Sequence, residues 1–354
     1  MSKAFSERIL VLEKIVVLGG KGGVGKSSIS AATAVLLSDL LPEKKILLIS
    51  FDMAHNLSDL ISKDIGNAIT PITSNLWAIE PDANVYAEIY TKDLVNKMKT
   101  LMKQMPLVGR IPQIEEFIDT TFTSDSIPLA LKNAMFFQKI LDAEDINSQE
   151  LQFDIIIADF PPTANMITLF EIPEDQVKVV LKYSLNFFNS IKGAMQNFSK
   201  MFRQLFKPFD NDYEKRKELG KEIFDMMVVL EKRGERISEL IHTVGSLRLV
   251  SIAEKPSFEE VKRARDLTNK YINLDAIHIN MIIPKKHAKK CDFCGQISTI
   301  QQRYLVEIKS EFKSEKIWES NRLKEEPIGL DGLRKLAREI YNDASASDIL
   351  NPKQ

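Results

Sequence analysis

A glycine-rich segment near the N-terminus has the composition of a phosphate-binding loop. Residues 20–27 read Gly-Lys-Gly-Gly-Val-Gly-Lys-Ser, which is the spacing G-x-x-x-x-G-K-S. The glycines let the backbone curl so that successive N–H groups point at a phosphate, beside a helix N-terminus. In this pattern Lys26 is expected to reach the β- and γ-phosphate oxygens, and Ser27 to ligate Mg²⁺. The predicted nucleotide-binding residues of this segment are Gly20, Lys21, Gly22, Gly23, Val24, Gly25, Lys26, Ser27 and Ser28.

Two aspartates end apolar runs that have the character of buried strands. Asp159 follows the run Ile-Ile-Ile-Ala, and Asp52 follows the run Ile-Leu-Leu-Ile-Ser-Phe. At the end of a strand beside a phosphate loop, Asp159 is expected to hold Mg²⁺ through water. A carboxylate at Asp52 would orient or deprotonate the attacking water. The sequence therefore predicts hydrolysis of a nucleoside triphosphate, with ATP and Mg²⁺ as cofactors.

The only two cysteines form a C-x-x-C pair, Cys291 and Cys294. Such a pair presents two thiolates to one metal, whereas zinc takes four ligands. His287 and a water would complete the set, or the same pair from a second subunit would do so across a two-fold axis. A reducible disulfide is another interpretation of this spacing. So is an iron–sulfur cluster shared across a dimer, which would colour the protein brown.

Short apolar runs, each followed by a helical pattern, must position these residues. Runs that are apolar on both faces are typical of strands covered by helices on both sides. Their β-α-β alternation predicts an α/β fold with a doubly wound, mostly parallel sheet. The predicted strands are residues 14–18, 45–51, 76–80, 153–158, 247–253 and 275–282.

Two stretches of helical pattern interrupt this alternation. We interpret residues 83–142 and 173–243 as one helical subdomain inserted into the core at two places. The small and polar residues 344–354 predict a flexible tail. The whole is one ATPase domain, residues 1–343, with its core in residues 14–82, 143–172 and 244–343.

Apolar side chains recur at spacings of three and four within the helical stretches, which predicts amphipathic helices. No acidic residue occurs between Lys182 and Phe209, although basic residues do. Such stripes usually belong to a core. Flexible, polarisable methionines nevertheless favour surfaces that accept different apolar partners, and basic amphipathic helices suit hydrophobic grooves or membrane surfaces. The stripe residues are Leu94, Met98, Leu101, Met105, Phe188, Ile191, Met195, Phe198, Phe202 and Leu205.

The overall composition excludes several classes of protein. The 48 basic and 49 acidic residues leave a net charge of −1, so no global field favours nucleic acid. No apolar stretch approaches the roughly 20 residues that span a bilayer. The first 14 residues lack the apolar run of a signal peptide. We therefore expect a cytoplasmic protein that does not bind nucleic acid.

The second lysine of the loop, Lys21, makes it similar to the deviant Walker A group of P-loop ATPases. Within that group, the sequence D-M-A-H-N-L-S-D at 52–59 resembles the D-P-A-H-N-L-S-D switch of one family. That family contains arsenite-pump ATPases and the guided-entry ATPases that target tail-anchored membrane proteins. Cys291-Asp292-Phe293-Cys294, with Gln301, Gln302 and Tyr304 after it, resembles the zinc motif of the targeting branch.

The resemblance implies roles that the residues alone do not give. Lys21 would act across a homodimer on the partner's nucleotide and stabilise transition-state charge. Asn280 would contact the adenine, and the late loop around residues 320–322 would lack the family's proline beside the base. Cys291 and Cys294 would bind Zn²⁺ shared between subunits. The helical subdomain of residues 83–142 and 173–243 would be a client-binding subdomain. These helices from two subunits would form a groove for the client's transmembrane helix.

The second switch departs from the family pattern. Residues 159–168 read D-F-P-P-T-A-N-M-I-T, whereas the family has D-T-A-P-T-G-H-T-L-R. Ala164 in place of glycine restricts the backbone of a segment that moves, and Met53 replaces a proline in the first switch. These differences concern the coupling of hydrolysis to domain motion more than nucleotide binding.

We therefore expect a homodimeric ATPase that shields the transmembrane segments of tail-anchored proteins and delivers them to a membrane, where a receptor would accept them. An arsenite-pump ATPase subunit, an iron–sulfur cluster scaffold and a general ATP-controlled holdase are the alternatives.

Overall fold

The structure is a computed structural model that describes residues 12–52, 56–82, 153–161 and 238–353, together with the helical residues 96, 100, 218 and 221. The chain divides into two compact units. One comprises residues 1–82, 143–167 and 239–354, and the other comprises residues 83–142 and 168–238. The stripe residues of the predicted groove lie outside the described residues, so the client-binding subdomain stays a prediction.

The described part of the first unit alternates strands and helices. In chain order the elements are β1 Lys14–Gly20, α1 Lys26–Leu40, β2 Ile46–Ser50, α2 Asn56–Ile61, β3 Thr70–Pro71, β4 Leu76–Ile79, β5 Ile155–Asp159, β6 Gly245–Ile252, α3 Lys255–Thr268, β7 Leu274–Ile282, α4 Lys285–Ala288, α5 Asp292–Glu311, β8 Lys316–Asn321, α6 Gly329–Tyr341 and α7 Ala346–Leu350. Among these described elements, no helix is both long enough and apolar enough to cross a bilayer.

The strands form one eight-stranded sheet in the order β3-β4-β2-β5-β1-β6-β7-β8. All neighbouring strands are parallel except β3 and β4. Every residue of β2 and β5 is buried, as expected for apolar strands with helices on both faces. The predicted α/β fold with a mostly parallel sheet is therefore confirmed.

Strands β3 and β8 were not predicted. β3 has two residues, too few to produce a pattern, and it includes a proline at the sheet edge. β8 alternates between buried and exposed side chains, with Trp318 and Ser320 inward and Glu319 outward. Because its outward residues are charged, β8 has no continuous apolar run that would predict a strand. Charged outward residues are typical of an exposed edge strand.

The C-terminal tail differs from the expectation of a flexible end. Residues 346–350 form α7, which begins with a capping box between Ser345 and Asp348. Ile349 is completely buried, and Lys14 Nζ donates to Asn351 Oδ1 at 3.1 Å. One apolar anchor and a cap therefore hold a segment whose composition resembles that of a loop.

The core between the sheet and α6 contains a buried polar cluster. His278 on β7 and Arg248 on β6 are both inaccessible to solvent, and the His278 ring packs edge-on against Tyr341 at 5.8 Å. The guanidinium of Arg248 donates to the Ile349 carbonyl, which ties α7 to the sheet. Both ring nitrogens of His278 are without a hydrogen-bond partner.

This burial predicts acid sensitivity. Desolvation, followed by the positive charge of Arg248, holds the pKa of His278 well below its ordinary value. Below about pH 6.5, His278 is protonated in the unfolded chain but stays neutral in the folded chain. The free energy of unfolding therefore falls by up to about 1.4 kcal/mol for each unit by which the pH is lowered. We expect His278→Leu to flatten the loss of stability between pH 7 and pH 5, as measured by urea unfolding at both values.

The exposed His242 provides the control for this prediction. His242→Leu removes an imidazole without changing the buried cluster, so its pH dependence should match that of the unmodified protein. An equal flattening in both variants, or in neither, would contradict the assignment to His278.

Candidate nucleotide site

The loop between β1 and α1 has the backbone of a phosphate cradle. Gly20, Gly23 and Gly25 have positive φ angles of 143°, 80° and 90°, which favour glycine. A Cβ atom on Gly20 would lie 2.3 Å from the Val250 carbonyl oxygen, because β6 passes directly beside the loop. Gly25 precedes α1 and supplies no side-chain cap to it. The first-turn N–H groups of α1 therefore remain available to an anion.

The two lysines of the loop differ in their surroundings. Lys26 is only 4% exposed, and its ammonium donates to the Lys21 carbonyl oxygen at 3.3 Å. The buried lysine thus lies over the curl of the loop, where a phosphate would replace the carbonyl as its partner. The Lys21 side chain is exposed, so it is accessible to a second molecule.

Asp159 ends β5 between β1 and β2, and it is fully buried. Its carboxylate accepts hydrogen bonds from Ser30 Oγ at 3.4 Å and Ser50 Oγ at 3.3 Å. Burial raises the pKa of Asp159 to about 6, against the opposing effects of the Ser27 hydroxyl and the Lys26 ammonium. The Ser27 hydroxyl thus bonds the Asp159 carboxylate, and the role of both residues toward Mg²⁺ stays a prediction.

Asp52 follows β2 and is partly exposed. Its backbone N–H donates to Ser50 Oγ at 3.2 Å, the hydroxyl that also bonds Asp159. The residue before it, Phe51, packs edge-on against Phe160 at 5.2 Å. These contacts hold the ends of β2 and β5 together, so Asp52 and Asp159 lie beside each other.

Asn280 on β7 is 5% exposed and is bonded on both sides of its amide. Its Nδ2 donates to the Val24 carbonyl at 3.0 Å, and its Oδ1 accepts from Met281 N–H at 2.9 Å and Ser320 Oγ at 2.8 Å. Asn280 thereby joins the end of the sheet to the phosphate loop, 256 positions away in the sequence.

Some of these residues border a cavity of about 630 Å³, within the range of roughly 300–1,000 Å³ typical of small-molecule sites; Lys21 and Asp159 do not line it. Its lining includes residues of the loop and α1, together with residues 321–328 at and after the end of β8. Seven of the predicted site residues line it: Gly23, Gly25, Lys26, Ser27, Ser28, Asp52 and Asn280.

The family comparison agrees with this geometry. A family model described as anion-transporting ATPase matches residues 13–342 of the chain. The chain belongs to the anion-transporting ATPase family. It is therefore an ATP-hydrolysing enzyme, as the loop predicted.

Relatives within this family have two kinds of name. Putative arsenical pump-driving ATPase 1 of Aquifex aeolicus is 27% identical over 347 residues, which cover 96% of this chain and 81% of that protein. ATPase GET3 of Meyerozyma guilliermondii is 26% identical over 337 residues, covering 92% and 89% respectively. The ASNA1 homologue of Entamoeba dispar is 26% identical over 317 residues, covering 83% and 84%. The resemblance stated from the sequence is confirmed at the level of the family.

Several residues of this ATPase site were missed in the sequence. Ser50 ends β2, Ser30 lies one turn into α1, and Ser320 is the next-to-last residue of β8; each is a small polar residue among buried apolar ones. That pattern was the available signal. The segment after β8 that lines the cavity extends beyond the predicted residues 320–322 to residue 328, and it includes Pro327.

The cysteine pair lies at the start of α5. The Cys291 thiol accepts a hydrogen bond from Cys294 N–H at 3.5 Å, and hydrogen bonds from Cys294 lower the pKa of Cys291. The pKa of Cys294 is raised because its thiol is the donor to Cys291. Within the described ranges, no three His, Cys, Asp or Glu side chains are grouped to hold a metal. Among these residues, His287 is not grouped with the two cysteines.

Proposed function

We propose that this ATPase is a cytoplasmic, homodimeric targeting factor that shields transmembrane segments of tail-anchored proteins and passes them to a membrane receptor. The observation that carries the proposal is the cysteine pair. The Cys291 thiol is exposed and has a lowered pKa, and the Cys294 thiol is partly exposed. The described residues are not grouped to supply a third metal ligand. The pair would supply half of a metal site, which a second copy of the chain would complete. Relatives named GET3 and ASNA1 are each 26% identical to this chain.

The two cysteine pairs of a dimer would supply four thiolates, which is the ligand set of a closed structural zinc site. The lowered pKa of Cys291 favours the thiolate that a metal binds. Zinc-bridged protein would be colourless, whereas broad visible absorption would indicate an iron–sulfur cluster and support the scaffold alternative.

The geometry also supports specific roles in hydrolysis. The Ser27 hydroxyl and, through water, the Asp159 carboxylate are hard oxygen ligands that would hold Mg²⁺, which supplies positive charge beside the phosphates. Lys26 would bind the β- and γ-phosphate oxygens. Asp52 would take a proton from the water whose oxygen attacks the γ-phosphorus, while the bond to the ADP oxygen breaks.

Lys21 of each subunit would reach the partner's nucleotide. Its exposed side chain is free of the burial that holds Lys26 in its own loop. Charge supplied in trans would make hydrolysis depend on dimer formation, so ATP would favour a closed dimer and hydrolysis an open one.

Co-expression with a tail-anchored protein tests the targeting role. We expect the client to copurify, and we expect copurification to fail when Phe188, Phe198 and Phe202 of the predicted stripe are changed to glutamine. The matched control changes the exposed Leu40 and Leu267 to glutamine and should retain the client.

Three other outcomes would favour the alternatives. Absence of copurification with the unmodified protein would contradict the targeting role. Stimulation of ATP hydrolysis by arsenite would support an arsenite-pump subunit, as the names of some relatives suggest. Equal capture of unfolded soluble proteins would indicate a general holdase.

A further inference from the structure

The amide of Asn280 connects the two strands β7 and β8 to the phosphate loop. Its Nδ2 donates to the Val24 carbonyl at 3.0 Å, and its Oδ1 accepts from the Met281 N–H at 2.9 Å and the Ser320 hydroxyl at 2.8 Å. If the amide were turned round, its NH₂ group would face the Met281 N–H and its oxygen would face the Val24 carbonyl. The Met281 N–H therefore decides which end of the amide faces the loop.

The bond to Val24 acts on the peptide group that joins Val24 to Gly25. That peptide is planar and trans, so the Val24 carbonyl and the Gly25 N–H point in opposite directions from it. A donor that holds the carbonyl on one side therefore sets the direction of the N–H on the other. The contact is close, since a Cβ atom on Gly25 would lie 2.5 Å from Asn280 Nδ2.

Ser320 holds the Asn280 amide from the β8 side. It is only 3% exposed and does not line the cavity, whereas Asn280 and Gly25 do. Its hydroxyl donates to the oxygen that also accepts the Met281 N–H, so two donors hold the oxygen end of the amide. A change at Ser320 would therefore affect a bound nucleotide through Asn280 and not by direct contact.

We propose that Asn280 and Ser320 are positioning residues for the phosphates of ATP. Together they hold the peptide between Val24 and Gly25 so that the Gly25 N–H faces the bound triphosphate. This role differs from the adenine contact that the resemblance implies for Asn280. The proposal rests on the proposed binding of the phosphates by the loop, and it is independent of the dimer and the client. It predicts an equal loss of affinity for ATP and for a polyphosphate that has no base.

Ser320→Ala tests the proposal with a small change, because it removes one hydroxyl that does not line the cavity. In titration calorimetry, the dissociation constants of Mg²⁺–ATP and Mg²⁺–tripolyphosphate should both rise about fivefold, the effect of one modest hydrogen bond of about 1 kcal/mol. The free loop can relax, whereas bound phosphates need the held peptide, so the loss appears in the affinity. The KM for ATP should rise by the same factor while kcat stays within about twofold, since the loop binds the phosphates in the ground state and the transition state alike.

Ser257→Ala is the matched control. Ser257 on α3 is 1% exposed, its hydroxyl bonds Ser251 Oγ at 2.9 Å, and it does not line the cavity. This variant therefore also loses a buried serine hydrogen bond, but both dissociation constants should keep their original values. Equal losses in Ser320→Ala and Ser257→Ala would indicate a general loosening of the fold and would overturn the proposal. Unchanged constants in Ser320→Ala would overturn it as well.

Asn280→Ala separates a positioning role from contact with the base. Removal of the amide should weaken ATP and tripolyphosphate by the same factor, about tenfold. A loss of ATP affinity alone, with normal tripolyphosphate binding, would mean that Asn280 contacts the base, and the proposal would be wrong. If Asn280→Ala does not fold, the comparison of the two ligands in Ser320→Ala decides the question.

Lys26→Met is the reference variant for the loop itself, and it should abolish binding of tripolyphosphate. If it does not, the phosphates bind elsewhere, and the proposal fails together with the assignment of the loop. A loss in Lys26→Met without a loss in Ser320→Ala or Asn280→Ala would overturn only the positioning role and would leave the loop as the phosphate site.

Discussion

Replacing Asp52 with asparagine is expected to lower ATP turnover by about 10²–10⁴-fold, the usual contribution of a positioned general base. ATP binding should change little. Asparagine has the same shape but does not accept a proton from water. Asp52 borders the cavity together with Lys26 and Ser27, and it is partly exposed, so a water molecule can reach its carboxylate.

Asp159 is a poorer candidate for this role, although it lies close by. It is fully buried and engaged by serine hydroxyls, and its pKa is raised to about 6 by desolvation. A carboxylate in that position suits the orientation of a hydrated cation better than the capture of a proton from water. We therefore propose Asp52 as the base at the cavity and the buried Asp159 as the residue that orients a hydrated cation.

Single-turnover hydrolysis and equilibrium binding of ATP measure the two parts of the Asp52 prediction. Asp59→Asn is the matched control, because Asp59 lines the same cavity and loses the same charge. It should retain most of the turnover. Undiminished hydrolysis in Asp52→Asn would show that another group activates the water, and an equal loss in both variants would indicate a general effect of charge.

The strands next to the phosphate loop could be predicted because burial on both faces requires a short continuous apolar run. β1, β2 and β5 have this property, and their predicted positions agree with the structure. β8 lies at the edge, where one face meets solvent, so its apolar run is interrupted by Lys316 and Glu319. The helix α7 depends on a cap and one buried isoleucine, too short a pattern to separate from a loop.

In the candidate site, some features depend on residues that are close together in the sequence, and others depend on residues that are far apart in it. The phosphate loop could be predicted because its glycines, lysine and serine lie in one continuous segment, residues 20–27. The position of Asn280 at the cavity depends on hydrogen bonds to Val24 and Ser320, which are 256 and 40 positions away in the sequence. No spacing rule relates such residues; only the order of strands brings them together. The altered second switch, from residue 162 onward, lies outside the described residues.

The remaining large effect concerns Gly25, the residue at which the loop enters α1. Gly25→Ala is expected to weaken ATP binding by about two orders of magnitude, from two additive causes. Alanine in a left-handed conformation costs about 1–2 kcal/mol. Its Cβ would also lie 2.5 Å from Asn280 Nδ2, so that side chain must move and lose its bond to Val24, a further cost of about 1 kcal/mol.

The free loop can relax to avoid this strain, but the phosphate requires the native curl, so the cost should appear in the affinity for ATP. Gly22→Ala is the control within the same loop: a Cβ there meets no atom within 4 Å, and Gly22 is not among the glycines with positive φ. Titration calorimetry with ATP should show near-normal binding for Gly22→Ala and a strong loss for Gly25→Ala. Tripolyphosphate should also bind Gly25→Ala weakly, because the loop itself is distorted. Normal tripolyphosphate binding by Gly25→Ala would mean that the left-handed turn is not needed to cradle the phosphates.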